Sequence, residues 1–323
     1  MPRALITGIT GFVGPYLAHG LRTRGIECVG IGRAPASRLH PLSLSPFRLR
    51  DLDIRDRPAV RWLIREEQPD LVFHLAAVTH VPASLADPEL AFDVNVGGTL
   101  NLFESLRQSA PAARVLFVST GNLYGAIESG TQGFSEDSPL HLASPYAASK
   151  QMGEQLAHTW VDDFAMNIVV ARPFNHTGPG QDTSFACPAF ARAIAEGVVR
   201  NQSVHMKTGL LQPRRDITDV RDVVNAYLLL AERGLTGETY NVCSGSSVSM
   251  EEVIATLSRL AGVSVTTELD PARVRQREIM HSGGNSSRLR ALGWTPRISL
   301  ASTLQDLLNF WIEHLHNANH APA

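Results

Sequence analysis

Tyr146 and Lys150 are the side chains in this sequence that are best suited to acid–base chemistry. They stand four residues apart at the start of a segment of helical period, so both fall on one face of a helix. A phenol has a pKa of about 10, and a neighbouring ammonium group favours the phenolate and lowers that pKa. The pair therefore predicts proton transfer to or from a hydroxyl or carbonyl oxygen, which a hydroxyl from Ser119 or Thr120 would also contact.

A glycine turn near the start of the chain forms a second candidate site. Gly8, Gly11 and Gly14 directly follow the first apolar run and open the first helical segment. Glycine lets the backbone approach a pyrophosphate closely, and a helix N-terminus offers unpaired N–H groups to an anion. This strand, turn and helix in succession predict a dinucleotide site, in which Phe12 and Val13 also contact the cofactor.

The end of the second apolar run bears on the choice between NAD and NADP. Proteins that prefer NAD commonly have an acid there, but this sequence has Arg33. Arg33 would pair with a 2′-phosphate, and Arg38 is a second candidate for this contact, which favours NADPH over NADH. The alternative is that Arg33 is a solvated loop residue. Asp53 and Ile54 follow the third strand, where the Asp53 carboxylate would accept from the adenine amino group or, alternatively, cap a turn or helix.

The elements that would position these residues form an alternating pattern. Short Val-, Ile- and Leu-rich runs at 3–7, 27–31, 71–75, 114–119 and 167–171 alternate with helical segments at 16–23, 58–67, 92–107 and 146–164. Strands without apolar/polar alternation are buried on both faces, and repeated strand–helix units make parallel crossovers. The fold class predicted for residues 1–172 is therefore α/β, a Rossmann-type doubly wound parallel sheet that binds the dinucleotide.

The pattern loosens after residue 172. Short helices are predicted at 187–197, 220–233 and 250–260, and the segment 270–285 is polar and basic. Residues 173–313 are expected to form mainly a smaller C-terminal substrate-binding lobe that covers the carboxyl edge of the sheet, with some segments returning to the sheet. Residues 314–323 have no apolar period and are expected to be a frayed tail.

The composition excludes several classes of function. The 323 residues carry 29 basic and 31 acidic side chains, so there is no broad basic surface for nucleic acid or an anionic membrane. No apolar run reaches the roughly 18 residues of a membrane span. Cys28, Cys187 and Cys243 have no metal-binding spacing, and the N-terminus does not resemble a signal sequence. We expect a metal-free cytoplasmic protein.

With these motifs, nearly the whole chain resembles the extended short-chain dehydrogenase/reductase family, the NAD-dependent epimerases and dehydratases. Residues 74–77 (His-Leu-Ala-Ala) and 95–99 (Asn-Val-Gly-Gly-Thr) are similar to its cofactor-side and structural signatures. The resemblance implies a catalytic set of Thr120, Tyr146 and Lys150, in which Lys150 also holds the nicotinamide ribose. Further cofactor contacts are implied for Leu75, Ala76, Ala77 and Pro173.

The loop at 171–181 resembles particular enzymes within this family. It is similar to that of GDP-4-keto-6-deoxy-D-mannose reductases, and its Phe-Asn-His core also resembles GDP-mannose 4,6-dehydratases. Segments 214–223 and 240–245 match the same reductases. The resemblance implies that Asn175 and Arg215 contact the substrate pyrophosphate, while His176 is either a packed loop residue or a contact on the cofactor side. The implied substrate-binding set is Thr120, Asn122, Tyr146, Asn175, Arg215, Arg275 and Glu278.

The segment that contains Arg275 and Glu278 departs from the family pattern. The relatives have an Arg-Pro-x-Glu/Asp segment, whereas this chain has Arg-Gln-Arg-Glu. The two ends are kept, for a diphosphate and a ribose, but the proline is absent. Recognition of guanine is therefore expected from similarity alone.

The residues after Thr120 favour reduction over dehydration. Sugar-nucleotide 4,6-dehydratases have one or two acids there, because elimination of water needs a base and an acid, but this chain has Gly121 and Asn122. Glu128 or Glu136 could take over that role. We predict NAD(P)H-dependent reduction of the C4 ketone of a GDP-4-keto-6-deoxyhexose to GDP-D-rhamnose or GDP-6-deoxy-D-talose.

Two other functions stay open at this point. The first is a nucleotide-sugar 4,6-dehydratase or 4-epimerase, and the second is a non-catalytic protein that senses NAD(P). Relatives commonly form homodimers through the helices that correspond to 92–107 and 146–164, and we expect a homodimer here as well.

Overall fold

The computed structural model describes residues 2–33, 40–126, 133–274 and 278–320. Arg38, Glu128 and Arg275, which the sequence singles out, lie outside these ranges. The β-strands are β1 (Arg3–Thr7), β2 (Glu27–Gly32), β3 (Arg48–Asp51), β4 (Leu71–His74), β5 (Arg114–Val118), β6 (Asn167–Pro173), β7 (Asn175–Thr177), β8 (Val204–Thr208), β9 (Arg214–Asp219), β10 (Thr239–Val242), β11 (Ser247–Ser249), β12 (Val265–Leu269) and β13 (His281–Ser282).

The α-helices follow the strands in the order that the sequence predicts for the first half of the chain. They are α1 (Val13–Thr23), α2 (Arg57–Glu67), α3 (Val81–Ala86), α4 (Pro88–Phe92), α5 (Gly98–Ser109), α6 (Pro145–Phe164), α7 (Ala186–Arg200), α8 (Val220–Arg233), α9 (Met250–Ala261), α10 (Ser287–Ala291) and α11 (Leu300–His320).

A seven-stranded parallel sheet forms the centre of the described chain, in the order β10-β6-β5-β4-β1-β2-β3. The strand order reverses between β1 and β4, and ligands of doubly wound sheets bind at such a reversal. Strands β1, β4, β5 and β6 are buried along most of their length, which explains why their sequences do not alternate. The predicted fold class is confirmed.

Helices cover both faces of this sheet. On one face α1 packs against α8, so closely that a Cβ on Gly20 would lie 3.1 Å from the Leu228 side chain. On the other face α2 packs against α5, and α5 against α6. The strand β10 and the helix α8 both come from the chain beyond residue 173, so that part of the chain contributes to the central layers.

A smaller lobe packs helices α7, α9 and α11 around a separate apolar cluster that includes Ile194, Leu257, Leu307 and Trp311. Beside it lie the parallel pair β8–β12 and a small sheet in which β9 joins β7, β11 and β13. Helix α11 continues to His320, so the expectation of a frayed tail from residue 314 is wrong for 314–320. The reason is a tertiary contact, because Leu315 packs against the apolar cluster of the small lobe.

The segment predicted as one helix over residues 92–107 differs in detail. Helix α4 ends at Phe92, one π-helical turn covers Asp93–Gly97, and α5 follows from Gly98. The turn carries Asn95, whose side chain bonds to groups outside its own helix. Single π-turns of this kind are frequent near functional sites, and apolar periodicity does not reveal them.

A buried ion pair joins β6 to helix α6. Arg172 is 6% exposed and Glu154 is 2% exposed, and the guanidinium donates to both carboxylate oxygens at 2.9 and 2.6 Å. Arg172 also donates to the Tyr124 hydroxyl at 2.7 Å, and that hydroxyl donates to Asn241 Oδ1 at 2.9 Å. The network therefore links β6, α6, β10 and the segment that follows β5.

Replacing one partner of this pair should destabilise the protein strongly. Glu154→Gln keeps the shape of the side chain but leaves the Arg172 charge buried without its counter-charge, which typically costs about 3–5 kcal/mol. We expect equilibrium urea unfolding to report a loss in this range. The matched control is Glu196→Gln, which removes the exposed pair with Arg192 and should cost less than about 1 kcal/mol. Equal losses in the two variants would contradict the role given to the buried pair.

Candidate active site

A cavity of about 540 Å³ opens at the carboxyl edge of the sheet, where the strand order reverses. The sequence-predicted residues that line it lie near the carboxyl ends of β1 to β6, at the starts of α1 and α6, or in β7. They are Gly8, Gly11, Phe12, Val13, Gly14, Arg33, Asp53, Ile54, Leu75, Ala76, Ala77, Thr120, Asn122, Tyr146, Lys150, Pro173 and Asn175.

The glycine turn has the geometry that a pyrophosphate needs. Gly8 has a positive φ of 72°, and a Cβ there would lie 2.8 Å from the Ala76 backbone nitrogen. A Cβ on Gly14 would lie only 2.1 Å from the Ile9 carbonyl oxygen, so no other residue fits. Within the described chain no side chain caps the start of α1, which leaves its first N–H groups for an anionic ligand. These residues fit a dinucleotide.

The charged groups at the β2 and β3 ends form a small cluster. Asp53 accepts hydrogen bonds from the Arg55 guanidinium and lies 3.3 Å from Arg33 Nη1. The Arg55 hydrogen bond is the largest cause that lowers the pKa of Asp53 to about 2. Asp53 also accepts a hydrogen bond from the Arg55 backbone N–H, which stabilises the turn that carries both residues. The same Asp53 side chain lines the cavity. The Arg33 side chain is 53% exposed and lines the same end of the cavity.

Tyr146 and Lys150 lie in the first turns of α6, which begins at a Ser144 cap. Both are buried, as the predicted shared face requires. The Thr120 hydroxyl lies near enough to the Tyr146 phenol to act against the increase in its pKa. The Ser119 hydroxyl is also buried but has no hydrogen-bond partner within the described residues. Of the two hydroxyls that the sequence leaves open, the structure thus brings Thr120 to Tyr146.

The electrostatics of the pair differ from the expectation that Lys150 lowers the pKa of Tyr146. Burial raises the pKa of Tyr146, and the Thr120 hydroxyl opposes this increase only in part. Burial also lowers the pKa of Lys150 to about 8, although Glu154 acts in the other direction, and Lys150 Nζ lies 4.6 Å from the centre of the Phe117 ring. Tyr146 is therefore a protonated phenol at neutral pH and can act as an acid.

The Asn95 side chain fixes helix α6 relative to the turn after β4. Its Oδ1 accepts from the Val78 N–H at 2.7 Å, and its Nδ2 donates to Ser149 Oγ at 2.8 Å. Ser149 in turn donates to the Tyr146 carbonyl at 2.9 Å. The turn that carries Ala76 and Ala77 is thereby held against helix α6.

His74, from the signature at 74–77, is a structural residue. Its Nδ1 shares a hydrogen bond with the Thr7 hydroxyl at 2.7 Å, and its Nε2 shares one with the Thr99 hydroxyl at 2.9 Å. Burial lowers the pKa of His74 to about 3, so the ring is neutral. Thr99 itself donates to the Asn95 carbonyl, and this chain of bonds holds β1, β4 and α5 together.

The predicted substrate residues fall into two groups. Asn122 and the exposed Asn175 line the cavity. Arg215 and Glu278 form a salt bridge of 2.7 Å with each other, and neither is among the described residues that line the cavity. The sequence leaves His176 as either a packed loop residue or a contact on the cofactor side. In the structure His176 lines the cavity, and its ring also stacks on Phe12 with the centroids 6.0 Å apart.

The sequence did not single out several other cavity residues. They include Val78, Thr79, Gln181, Asp182, Phe185 and Tyr227. Tyr227 lies on α8, where it continues an ordinary apolar helical pattern. No local signal distinguishes such a residue from a core position, because only the packing of α8 under the sheet brings it to the cavity.

A nucleotide-binding sheet with a buried Tyr–Lys pair at its carboxyl edge defines an extended short-chain dehydrogenase/reductase. The model of the GDP-mannose 4,6 dehydratase family matches residues 5–307, and the chain belongs to this family of NAD(P)-dependent nucleotide-sugar dehydratases and reductases.

Known relatives cover almost the whole chain. GDP-6-deoxy-D-mannose reductase from Pseudomonas aeruginosa is 35% identical over 311 residues, which are 96% of this chain and 97% of the relative. The structure of RMD from Pseudomonas aeruginosa complexed with NADPH is 32% identical with a TM-score of 0.85, covering 97% of this chain and 100% of that one. UDP-glucose 4-epimerase from Thermus thermophilus, complexed with NAD, is 30% identical with a TM-score of 0.86, covering 96% and 98%.

None of the helices in the described part of the chain has the length and apolar character of a transmembrane span. In the same residues no group of three or more His, Cys, Asp and Glu side chains has the geometry of a metal site.

Lys150→Met should stabilise the protein in a pH-dependent way. The folded state disfavours the charged lysine, because its pKa is about 8 in the fold against about 10.4 in the unfolded chain. The resulting penalty is fully present below about pH 8 and disappears as the pH rises towards 10.4. We expect Lys150→Met to raise the free energy of unfolding at pH 7 by on the order of 3 kcal/mol, and the gain to shrink between pH 8 and 10.

The matched control is Lys207→Met, since Lys207 is exposed on β8 and is the other lysine of the sequence. This variant should show no such gain. A Lys150→Met protein that is less stable than wild type at pH 7, or whose gain stays constant up to pH 10, would contradict the prediction.

Proposed function

We propose that the protein reduces the C4 keto group of GDP-4-keto-6-deoxy-D-mannose with NAD(P)H, to give GDP-D-rhamnose or GDP-6-deoxy-D-talose. The observation that carries this proposal is the buried Tyr146 phenol, which burial keeps protonated and which lies near the Thr120 hydroxyl. A carbonyl oxygen that becomes a hydroxyl needs such an acid. The relationship to a GDP-6-deoxy-D-mannose reductase along 96% of the chain supports this substrate.

The residues divide the reaction between them. A bound nicotinamide cofactor supplies the hydride for C4. Tyr146 donates its proton to the ketone oxygen, and the Thr120 hydroxyl orients that oxygen. Lys150, as an ammonium below about pH 8, stabilises the phenolate that remains and holds the cofactor ribose.

The cavity supports reduction better than 4,6-dehydration. A Cβ on Gly121 would lie 2.9 Å from the Phe174 ring, so this position has little room for an acid. The Glu136 side chain is 4% exposed and accepts from the Asn241 N–H at 2.8 Å, and it does not belong to the described cavity lining. Among the described lining residues only Asp53 and Asp182 are acids, and Ser184 hydrogen bonds lower the pKa of Asp182, which makes it a poor proton donor.

Separate groups would bind the two ends of the substrate. Asn175 on β7 faces the cavity and would donate to the pyrophosphate of the sugar nucleotide. Arg215 on β9 forms an ion pair with Glu278, which lies just before β13, the strand that pairs with β9. We propose that these two residues bind the diphosphate and the ribose. The role of Arg275 in the same subsite stays a prediction.

The charge at the β2 end favours NADPH over NADH. Arg33 lines this end of the cavity, and the neighbouring Asp53 carboxylate is bound by Arg55 at 2.7 Å, more closely than by Arg33 at 3.3 Å. A 2′-phosphate would meet the exposed Arg33 guanidinium with little rearrangement.

We further propose that the protein is a cytoplasmic homodimer. Helices α5 and α6 carry three exposed apolar side chains, Leu100, Met152 and Phe164, which are 41%, 44% and 46% exposed. Contact between two copies through these helices would cover them and would bring the catalytic helix of each protomer close to the interface.

Reaction of the purified protein with GDP-4-keto-6-deoxy-D-mannose and NADPH tests the function. One NADPH should be oxidised for each product molecule, and NMR should identify a C4 alcohol. Tyr146→Phe should lower kcat by about 100-fold or more while it keeps its affinity for NADPH. Turnover of GDP-D-mannose itself, with no net change in the amount of NADPH, would instead indicate a dehydratase or epimerase. Cofactor binding without turnover of any nucleotide ketosugar would indicate a sensor.

The cofactor preference has its own test. Arg33→Ala should weaken NADPH binding about 10-fold or more, because a hydrogen-bonded charge pair is worth about 1.5–3 kcal/mol. NADH binding to the same variant is the internal control and should stay unchanged in titration calorimetry. A parallel loss for both cofactors would mean that Arg33 does not recognise the 2′-phosphate.

A further inference from the structure

Tyr227 is a phenol in the cofactor cavity for which the reaction described above has no role. It lies on α8, is 1% exposed and lines the cavity together with the glycine turn and Tyr146. Its ring belongs to the apolar cluster between the sheet and helices α1 and α8. A phenylalanine would fill that space equally well, so packing alone does not account for the hydroxyl.

The Tyr227 hydroxyl has no hydrogen-bond partner in the part of the chain that the structure describes, and burial raises its pKa without any hydrogen bond to offset the effect. The hydroxyl is not one of the fully enclosed unpaired polar atoms of the described residues, so a molecule in the cavity can reach it. Such a group in a cavity wall therefore calls for a ligand atom as its partner.

The sheet order indicates which part of the cofactor that atom belongs to. Helix α8 packs against β5 and β6, whereas Arg33 and Asp53 follow β2 and β3 on the other side of the strand reversal. Tyr146 lies on the same side, at the start of helix α6, which connects β5 to β6. Tyr227 is thus on the side of the proton donor and away from the adenine end.

We propose that the Tyr227 hydroxyl donates a hydrogen bond to the nicotinamide half of the cofactor and makes Tyr227 a cofactor-binding residue. The hydroxyl would help to hold the nicotinamide beside Tyr146, from the α8 side of the sheet. The inference rests on the nicotinamide cofactor of the proposed function and is independent of the sugar substrate.

Tyr227→Phe removes only the hydroxyl, and its effect can be measured without turnover. We expect the Kd for NADPH to rise about 2- to 10-fold, as for the loss of one ordinary hydrogen bond. The Kd for 2′-phospho-ADP-ribose, which lacks the nicotinamide, should not change. Thermal unfolding of the ligand-free variant should occur at the wild-type temperature or above it.

The matched control is Tyr240→Phe. Tyr240 is also buried, but its hydroxyl accepts from the Leu235 N–H at 3.0 Å and it is not one of the described cavity residues. Its NADPH affinity should equal that of wild type. An unchanged NADPH affinity in Tyr227→Phe, or an equal loss for NADPH and 2′-phospho-ADP-ribose, would overturn the inference. Failure of the wild type to bind NADPH would instead count against the proposed function.

Discussion

The position of helix α6, which carries Tyr146 and Lys150, depends on the buried ion pair between Arg172 and Glu154. Glu154 follows Lys150 by about one helical turn, so its attachment to the end of β6 fixes the rotation of α6 and the direction of Tyr146. The same guanidinium binds Tyr124, in the segment that also carries Thr120. One charge thus holds the proton donor and its hydroxyl partner to a common point of the sheet.

Burial has opposite consequences for the charged groups around this point. The Arg172 charge is compensated by a carboxylate, whereas Lys150 has the Phe117 ring beside its ammonium group and a lowered pKa. Burial also raises the pKa of Tyr146, so the site combines a phenol that keeps its proton with a lysine near its titration point. The ion pair and the Asn95 hydrogen bonds hold the elements around Tyr146 and Lys150 in place.

The parts of the site that depend on short spacing could be predicted from the sequence. The glycine turn and the Tyr146–Lys150 pair are local, because one turn and one helical face bring their members together. The salt bridge of Arg215 with Glu278 and the approach of Tyr227 depend on contacts across 63 residues and on the packing of a distant helix, and no local pattern encodes them. The net increase in the pKa of Tyr146 could not be predicted, because the sequence does not give the depth of burial that dominates it.

The return of the chain to the central sheet limits how this enzyme could be recombined with its relatives. Strand β10 covers the outer edge of β6, and helix α8 covers α1, although both follow the first strands of the small lobe. A chimera joined at residue 172 would exchange not only the small lobe but also an edge strand and half of one helical layer. The small lobe is therefore not an independent module, and an exchange of this part between relatives has to preserve the contacts of β10 and α8.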